Sequence, residues 1–237
     1  MAASFKRVGH KGADLIEPGN TRASFDAALA HGVDMIELDV LPERLDGEGA
    51  LHLAHDYEDA GKRTPLTLEE GFEHLAAPRF GGIELIVDLK LRGYELRVLQ
   101  ALEEHGLKER SMISSQYRES LARLREADET MRLGWSVPRA RRDYTRSPIL
   151  GTLALVVLRA MRLVLPRMAR SALERGLCNA IIAQWRLVSP RLVASVREGG
   201  GELYAWTVDD APRIRALEAL GVTGIITNDP RLFSVPA

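Results

Sequence analysis

Strand-like and helix-like stretches take turns along this chain from one end to the other, and that alternation leaves few folds open. Lys6-Arg7-Val8-Gly9 reads as a strand and is followed by a Gly/Pro-rich turn. A helix then starts near Asn20 or Thr21 and carries Phe25, Ala28 and Leu29 to Gly32. The second strand is Met35–Val40; after the turn Asp46-Gly47-Glu48-Gly49, Ala50–Ala54 runs back along it. Thr67 and Glu70 form a capping box that opens the next helix. Further strands are expected at 83–89, 111–115, 131–136, 179–185, 202–208 and 224–227, with helices at 94–105, 119–127, after Ser189-Pro190, and at 211–220. Eight strands alternating with helices in 237 residues predict a (β/α)8 TIM barrel, taken as a single barrel domain over 1–237. A doubly wound sheet is the competing fold, but its Gly-rich phosphate loop is missing from the first turn.

A barrel of this kind carries its chemistry at the C-terminal ends of the strands. Polar and ionisable residues gather there in the sequence: His10 and Lys11 after strand one, Glu37 and Asp39 on strand two, Asp88 and Lys90 on strand three. Trp135, Trp185 and Trp206, the only tryptophans, end strands five, six and seven, and Asn228-Asp229-Pro230 ends strand eight. Strand four offers only Ser115 and Gln116. Residues i and i+2 of a strand share a face, so Glu37 and Asp39 point the same way between the apolar Ile36, Leu38 and Val40. Two buried carboxylates side by side need a shared proton, a basic partner or a divalent cation, unless they reach strand-end salt bridges.

The remaining composition narrows the function by exclusion. Lys and Arg number 32 against 33 Asp and Glu, which argues against a nucleic-acid binder. Cys178 is alone, so neither an internal disulfide nor a cysteine metal cluster is available. No apolar run reaches the roughly 18 residues of a spanning helix, and a strand-like run near residue 5 leaves no room for a signal peptide. A cytoplasmic protein is expected, with peripheral membrane contact as a further option.

Gly9-His10-Lys11-Gly12, Pro18-Gly19-Asn20-Thr21, Ile36–Val40 and His55-Asp56 follow one another within fifty residues. With Thr64–Glu70, Val87–Lys90, Trp206-Thr207-Val208 and Thr227–Pro230 downstream, the chain resembles the glycerophosphodiester phosphodiesterase family. The resemblance implies hydrolysis of a glycerol phosphodiester to glycerol 3-phosphate and an alcohol, on a small-molecule or lysophospholipid substrate. It implies His10 and His55 as general acid and base, and Glu37, Asp39 and Asp88 as ligands of a divalent cation. An all-oxygen set suits Mg²⁺ or Ca²⁺, with Mn²⁺ also compatible. Lys11, Lys90 and Trp206 are the expected substrate-binding residues. The family's route lets the glycerol 2-hydroxyl attack first, through a cyclic phosphate that water opens. A lyase stopping at that cyclic phosphate, or an impaired barrel that binds a phosphorylated ligand or a lipid surface, are the alternatives.

Three positions depart from the family pattern. Lys11 stands for Arg, giving a point charge in place of a bidentate fork. Gly19 stands for Glu, removing a carboxylate that Glu17, nearby in sequence, is the candidate to replace. Asp88 stands for a longer Glu, so its contact with a cation is expected to run through water. Among the remaining histidines, His31, His74 and His105 sit in or at the ends of helix patterns, and His52 falls on the opposite strand face from His55. Asp56 reads equally as a turn residue or a site residue, and the tryptophans as rim packing or headgroup contacts.

Residues 137–179 form an insertion between strands five and six that the bare barrel does not need. From Ile149 to Leu165, 13 of 17 residues are apolar, and Thr152, Arg159, Arg162 and Arg170 fall on one side of a helix. Arg139, Arg141, Arg142, Arg146, Arg167 and Arg175 flank it, with Pro166 expected to kink or break it. Such a segment lies on an anionic membrane through about 148–170, or packs as a lid or a dimer contact.

Overall fold

The computed structural model describes residues 5–138 and 148–234, the side chains of 148–158 excepted. Among these residues, eight parallel strands close into a barrel: β1 (Lys6–Gly9), β2 (Met35–Pro42), β4 (Glu84–Leu89), β5 (Ser111–Ser115), β6 (Arg132–Val137), β7 (Ala180–Gln184), β8 (Glu202–Trp206) and β9 (Gly224–Thr227). Closure comes from β1, which pairs with β2 through Val8–Met35 and with β9 through Lys6–Gly224 to Gly9–Thr227. The short β3 (Leu51–Leu53) runs antiparallel against the end of β2, as the run of apolar residues after Gly49 predicts. The TIM barrel expected from the sequence is therefore the fold.

Helices α1 (Arg22–Ala30), α3 (Leu68–Leu75), α4 (Glu95–Glu104), α5 (Arg118–Ala127), α6 (Pro148–Glu174), α7 (Pro190–Glu198) and α8 (Ala211–Leu220) cover its outside, while the short α2 (Tyr57–Lys62), which buries no residue, follows β3 with Tyr57 lining a cavity at the C-terminal ends of the strands. Their starts follow local chemistry. Thr21 and Thr67 each cap a helix with a reciprocal box, and Ser189 and Asp210 cap helices with proline in the first turn. Asn20 is not a cap; it is fully buried and turned inward at φ 58°.

Two cores result from the strand alternation. Outward residues such as Ile36, Leu38, Leu85, Val87 and Ile113 pack beneath the helices with Phe25, Phe72 and Leu121. Inward residues stack in layers. Lys6, Glu84, Arg132 and Glu202 form an ionic floor, with Lys6–Glu84 at 2.6 Å, Arg132–Glu84 at 2.7 Å and Arg132–Glu202 at 3.2 Å. Above it lie Val8, Met35, Ile86, Met112, Ala180, Ile182, Tyr204 and Ile226. Gly134 keeps this layer open, because a Cβ there would crowd Ile182 and Met112. One step further along each strand, parity brings the polar residues to the C-terminal ends of the strands.

The expected insertion contains α6, a helix of 27 residues that continues past Pro166. Of the expected kink or break, the break does not occur. Pro166 is itself buried, and the turns after it are packed through Ala169, Ala172 and Leu173, so tertiary contacts hold the helix where one backbone bond is lost. Arg139, Arg141, Arg142 and Arg146 lie outside the described residues, as does the side chain of Thr152. Among the described residues no helix is long and apolar enough to cross a membrane.

Candidate active site

A cavity of about 650 Å³ opens at the C-terminal ends of the strands. His10, Glu37, His55, Asp88, Lys90 and Trp206 line it, so most of the expected site residues converge from separate strands on one space. Its lining is apolar in part: Leu41, Leu45, Tyr57 and Leu91 come from β2 and from the segments that follow β2 and β4, and Ile182 comes from the interior layer on β7.

Glu37, Asp39 and Asp88 come from the inward faces of β2 and β4, which pair in register at Asp39–Asp88. Each offers a carboxylate oxygen within 4.8 Å of the others. Asp39 is fully buried; its second oxygen accepts from Asn20 Nδ2 at 2.9 Å, while its backbone N–H donates to Asn20 Oδ1 at 3.0 Å. Glu37 accepts from the backbone N–H of Lys11 at 3.0 Å, and Asp88 from the hydroxyls of Ser114 at 2.5 Å and Ser136 at 3.2 Å. The Lys90 ammonium sits among the carboxylates, against Asp39 and 2.7 Å from Asp88. Burial and then the neighbouring Asp39 push Glu37 well above the usual carboxylate range. Burial acts the same way on Asp39, but Lys90, His55 and His10 outweigh it and hold the group well below that range. Lys90 rises for the reciprocal reason, its burial overcome by Asp39 and Asp88. Three close carboxylates with one ammonium suit a hard cation on both donor type and spacing. Asp88 is part of this cluster despite its short side chain.

The two histidines differ in setting. His10 Nδ1 lies 2.5 Å from Asn228 Oδ1, and its Nε2 lies 3.8 Å from Glu37. Burial lowers the His10 pKa against the pull of Asp39, favouring the neutral ring. Asn228 donates through Nδ2 to Asp209 at 2.6 Å, which aims its carbonyl oxygen at His10. Neutral His10 thus carries its proton on Nδ1 and leaves the Nε2 lone pair towards the carboxylates. His55, at the mouth, is 52% exposed and pairs with Asp56 at 3.0 Å through Nδ1. Asp56 also caps α2, so it is both turn and site residue. His52 does not reach the cavity.

Lys11 is not among the cavity's lining residues. Its ammonium is 2.6 Å from Asp14, whose other oxygen accepts from the Gly19 N–H at 2.9 Å. A Cβ on Gly19 would overlap that carboxylate, so Asp14, and not the exposed Glu17, fills the space beside Gly19. Of the tryptophans only Trp206 lines the cavity, with its indole N–H on Ile182 O at 3.0 Å. Trp135 stacks under Arg118, and Trp185 under Arg186 and Arg213. Sequence reasoning missed Asn20, Ser114, Ser136 and Asp209 as site residues. Strand parity could have found Ser114 and Ser136, two residues beyond the inward-facing Met112 and Gly134.

The sequence profile described as the glycerophosphoryl diester phosphodiesterase family matches residues 84–232, well over half of the chain. The chain belongs to that family. Its N-terminal motifs fall outside this match, but similarity to individual members spans them. A glycerophosphodiester phosphodiesterase of Caldanaerobacter subterraneus is 27% identical over 261 residues, covering 94% of this chain and 93% of its own. The putative glycerophosphodiester phosphodiesterase YhdW of Bacillus subtilis is 28% identical over 254 residues, covering 94% of each. The fold is similar to a putative glycerophosphoryl diester phosphodiesterase from Silicibacter pomeroyi, with a TM-score of 0.73 at 18% identity over 98% of this chain and 92% of that one. It is also similar to an Oleispira antarctica phosphodiesterase solved with the product sn-glycerol-3-phosphate, with a TM-score of 0.68 at 19% identity, covering 97% of this chain and 96% of that one. As a family member the chain is a glycerophosphodiester phosphodiesterase-type enzyme, a phosphoric diester hydrolase.

Proposed function

We propose that the protein, as one barrel unit over its length, hydrolyses glycerophosphodiesters by two-histidine acid–base catalysis supported by a carboxylate-bound divalent cation. The observation that carries this is the convergence of His10, His55, Glu37 and Asp88 on one cavity, with Asp39 buried beside the two carboxylates and within 4.8 Å of them. Held by those carboxylates, Mg²⁺, Ca²⁺ or Mn²⁺ would supply Lewis-acid polarisation of a phosphoryl oxygen.

The remaining work falls to the chain's own side chains. His10, kept neutral by burial, takes the proton of the glycerol 2-hydroxyl at Nε2. The oxygen attacks phosphorus, and His55 gives a proton to the leaving alkoxide, which departs from the open side where His55 is exposed. For hydrolysis of the cyclic phosphate the two exchange roles: His55 takes a proton from the water whose oxygen bonds to phosphorus, the bond from phosphorus to the glycerol 2-oxygen breaks, and His10 returns its proton to that oxygen. Lys90 offers its ammonium to the phosphate oxygens, and Trp206 bounds the glycerol side of the cavity. Lys11 acts on substrate only if Asp14 releases it.

The apolar part of the lining favours lysophospholipids as substrates. Leu45, 77% exposed, and Tyr57 stand at the mouth, where an acyl chain would lie. Phosphorus NMR of glycerophosphocholine incubated with Mg²⁺, Ca²⁺ or Mn²⁺, and with a chelator, tests the reading. Glycerol 3-phosphate with cation and none with chelator is expected. A cyclic phosphate as sole product makes the protein a lyase, and no turnover with any cation removes the hydrolytic reading.

A further inference from the structure

Helix α6 spans 27 residues, about 40 Å at 1.5 Å per residue, more than twice what a barrel helix needs to run back along a strand of six. Its C-terminal half is the part that runs back along the barrel, where Leu165, Ala169, Ala172 and Leu173 are buried and packed with Leu187 and Leu192. Just before Leu165 the burial stops. Arg159, Ala160, Arg162, Leu163 and Val164 are exposed, and only Met161, half-buried, still touches the core, so over more than one full turn most of the helix surface is open. Helices of a βα barrel run from the catalytic end of the strands to the opposite end, so the stretch before Leu165 lies towards the catalytic end.

Its surface has a definite chemistry. Leu163 is 67% exposed, Val164 52% and Met168 42%, three apolar side chains close together on one helix. Arg159, Arg162 and Arg167 are exposed beside them, and among the described residues no acidic group pairs with any of the three. Arg170, further along, is neutralised by Glu174 and Glu198. The sequence from Pro148 to Leu173 contains no acidic residue, and Pro148 to Leu158 contains no charge of either sign.

We infer that α6 is an interfacial docking helix, through which the protein binds an anionic lipid bilayer with its catalytic end towards the membrane. Apolar side chains alone would suit a protein partner equally well. The arginines among them, without an acidic partner among the described residues, select an anionic surface, since Arg can place its apolar stem beside lipid and its charge at the headgroups. Among the described residues no helix spans a bilayer, so the contact is shallow. The inference adds a partner to the hydrolase reading, but binding is measured without catalysis, so the two fail separately.

The test is co-sedimentation of the full chain with vesicles of phosphatidylcholine alone and of phosphatidylcholine with phosphatidylglycerol, at low and high salt. Binding is expected to the anionic vesicles, weakened by salt. The triple variant Arg159→Glu/Arg162→Glu/Arg167→Glu and the double variant Leu163→Glu/Val164→Glu are each expected to partition at least about tenfold more weakly. Circular dichroism and thermal melting of both variants establish that the barrel stands, since the substituted side chains are exposed. Equal binding by folded variants and parent overturns the inference, as does the parent's failure to bind. A lipid-free dimer that Leu163→Glu/Val164→Glu dissociates, with no vesicle binding, assigns the surface to a second copy and also overturns it.

Discussion

The Nδ1 atom of His10 and the carboxamide oxygen of Asn228 lie 2.5 Å apart, with Asp209 behind holding the Asn228 amide. Asp209 also accepts from the Thr227 hydroxyl at 2.9 Å and the Asn228 backbone N–H at 2.8 Å, so the end of β9 is fixed at several points. The relay sets the tautomer of a half-buried histidine from residues far away in sequence. Asp209→Ala should lower kcat by about 10–100-fold, the usual cost of losing an orienting partner, with little change in KM. Nitrogen NMR shifts of the His10 ring should lose the single Nδ1–H tautomer. Unchanged kcat with an unchanged ring spectrum would count against the relay.

Cation binding should depend on all three carboxylates. Glu37→Gln and Asp88→Asn are expected to weaken calorimetric affinity for Mg²⁺ or Ca²⁺ by at least about tenfold, leaving the melting temperature of the cation-free protein similar or higher. Removing a carboxylate from a crowded, partly uncompensated cluster relieves repulsion. Undiminished affinity in either variant would take that residue out of the cation site.

The ionic floor should make stability depend on pH. Burial opposes ionisation of Glu84, but Lys6 and Arg132 outweigh it and lower its pKa in the folded state. A depressed carboxylate stabilises the fold above its unfolded pKa of about 4.3, and the contribution is lost as pH falls through the folded value. The melting-temperature gap between parent and Glu84→Gln should be widest above about pH 5 and close below it. A gap that does not vary with pH would assign the loss to packing alone.

Gly19 and Asp14 should be coupled. Gly19→Glu alone would press its Cβ on the Asp14 carboxylate and lower the melting temperature. Adding Asp14→Gly removes the tighter of the two contacts, leaving that with the Lys11 Cβ at 2.8 Å, and should recover part of the loss. Simple additivity of the two substitutions would refute the coupling.

Much of the barrel was legible because its signals are local. Period-two alternation gives the strands, and capping residues such as Thr67 and Ser189 give helix starts near the observed ones. Parity on β2 sets Glu37 and Asp39 on one face from sequence alone, whereas His55 lies past the end of β3 at Leu53, where the alternation expected to set it apart from His52 no longer runs. What stayed hidden depends on closure. Asn20 reads as a cap until Asp39 is brought beside it, and Asp209 reads as a loop acid until β9 carries Asn228 to His10. The fate of Lys11 depended on Asp14, three residues away, whose fold-back over Gly19 has no periodic signature.

The catalytic assignment is tested most directly by steady-state hydrolysis of a glycerophosphodiester, with saturating cation, by His10→Ala, His55→Ala and His52→Ala. Loss of a positioned acid or base costs about 100-fold or more. His10→Ala and His55→Ala should each lose that much in kcat, and His52→Ala, whose ring does not line the cavity, should stay within a few-fold of the parent. Near-parental turnover by His10→Ala or His55→Ala, or a dead but folded His52→Ala, would contradict the account.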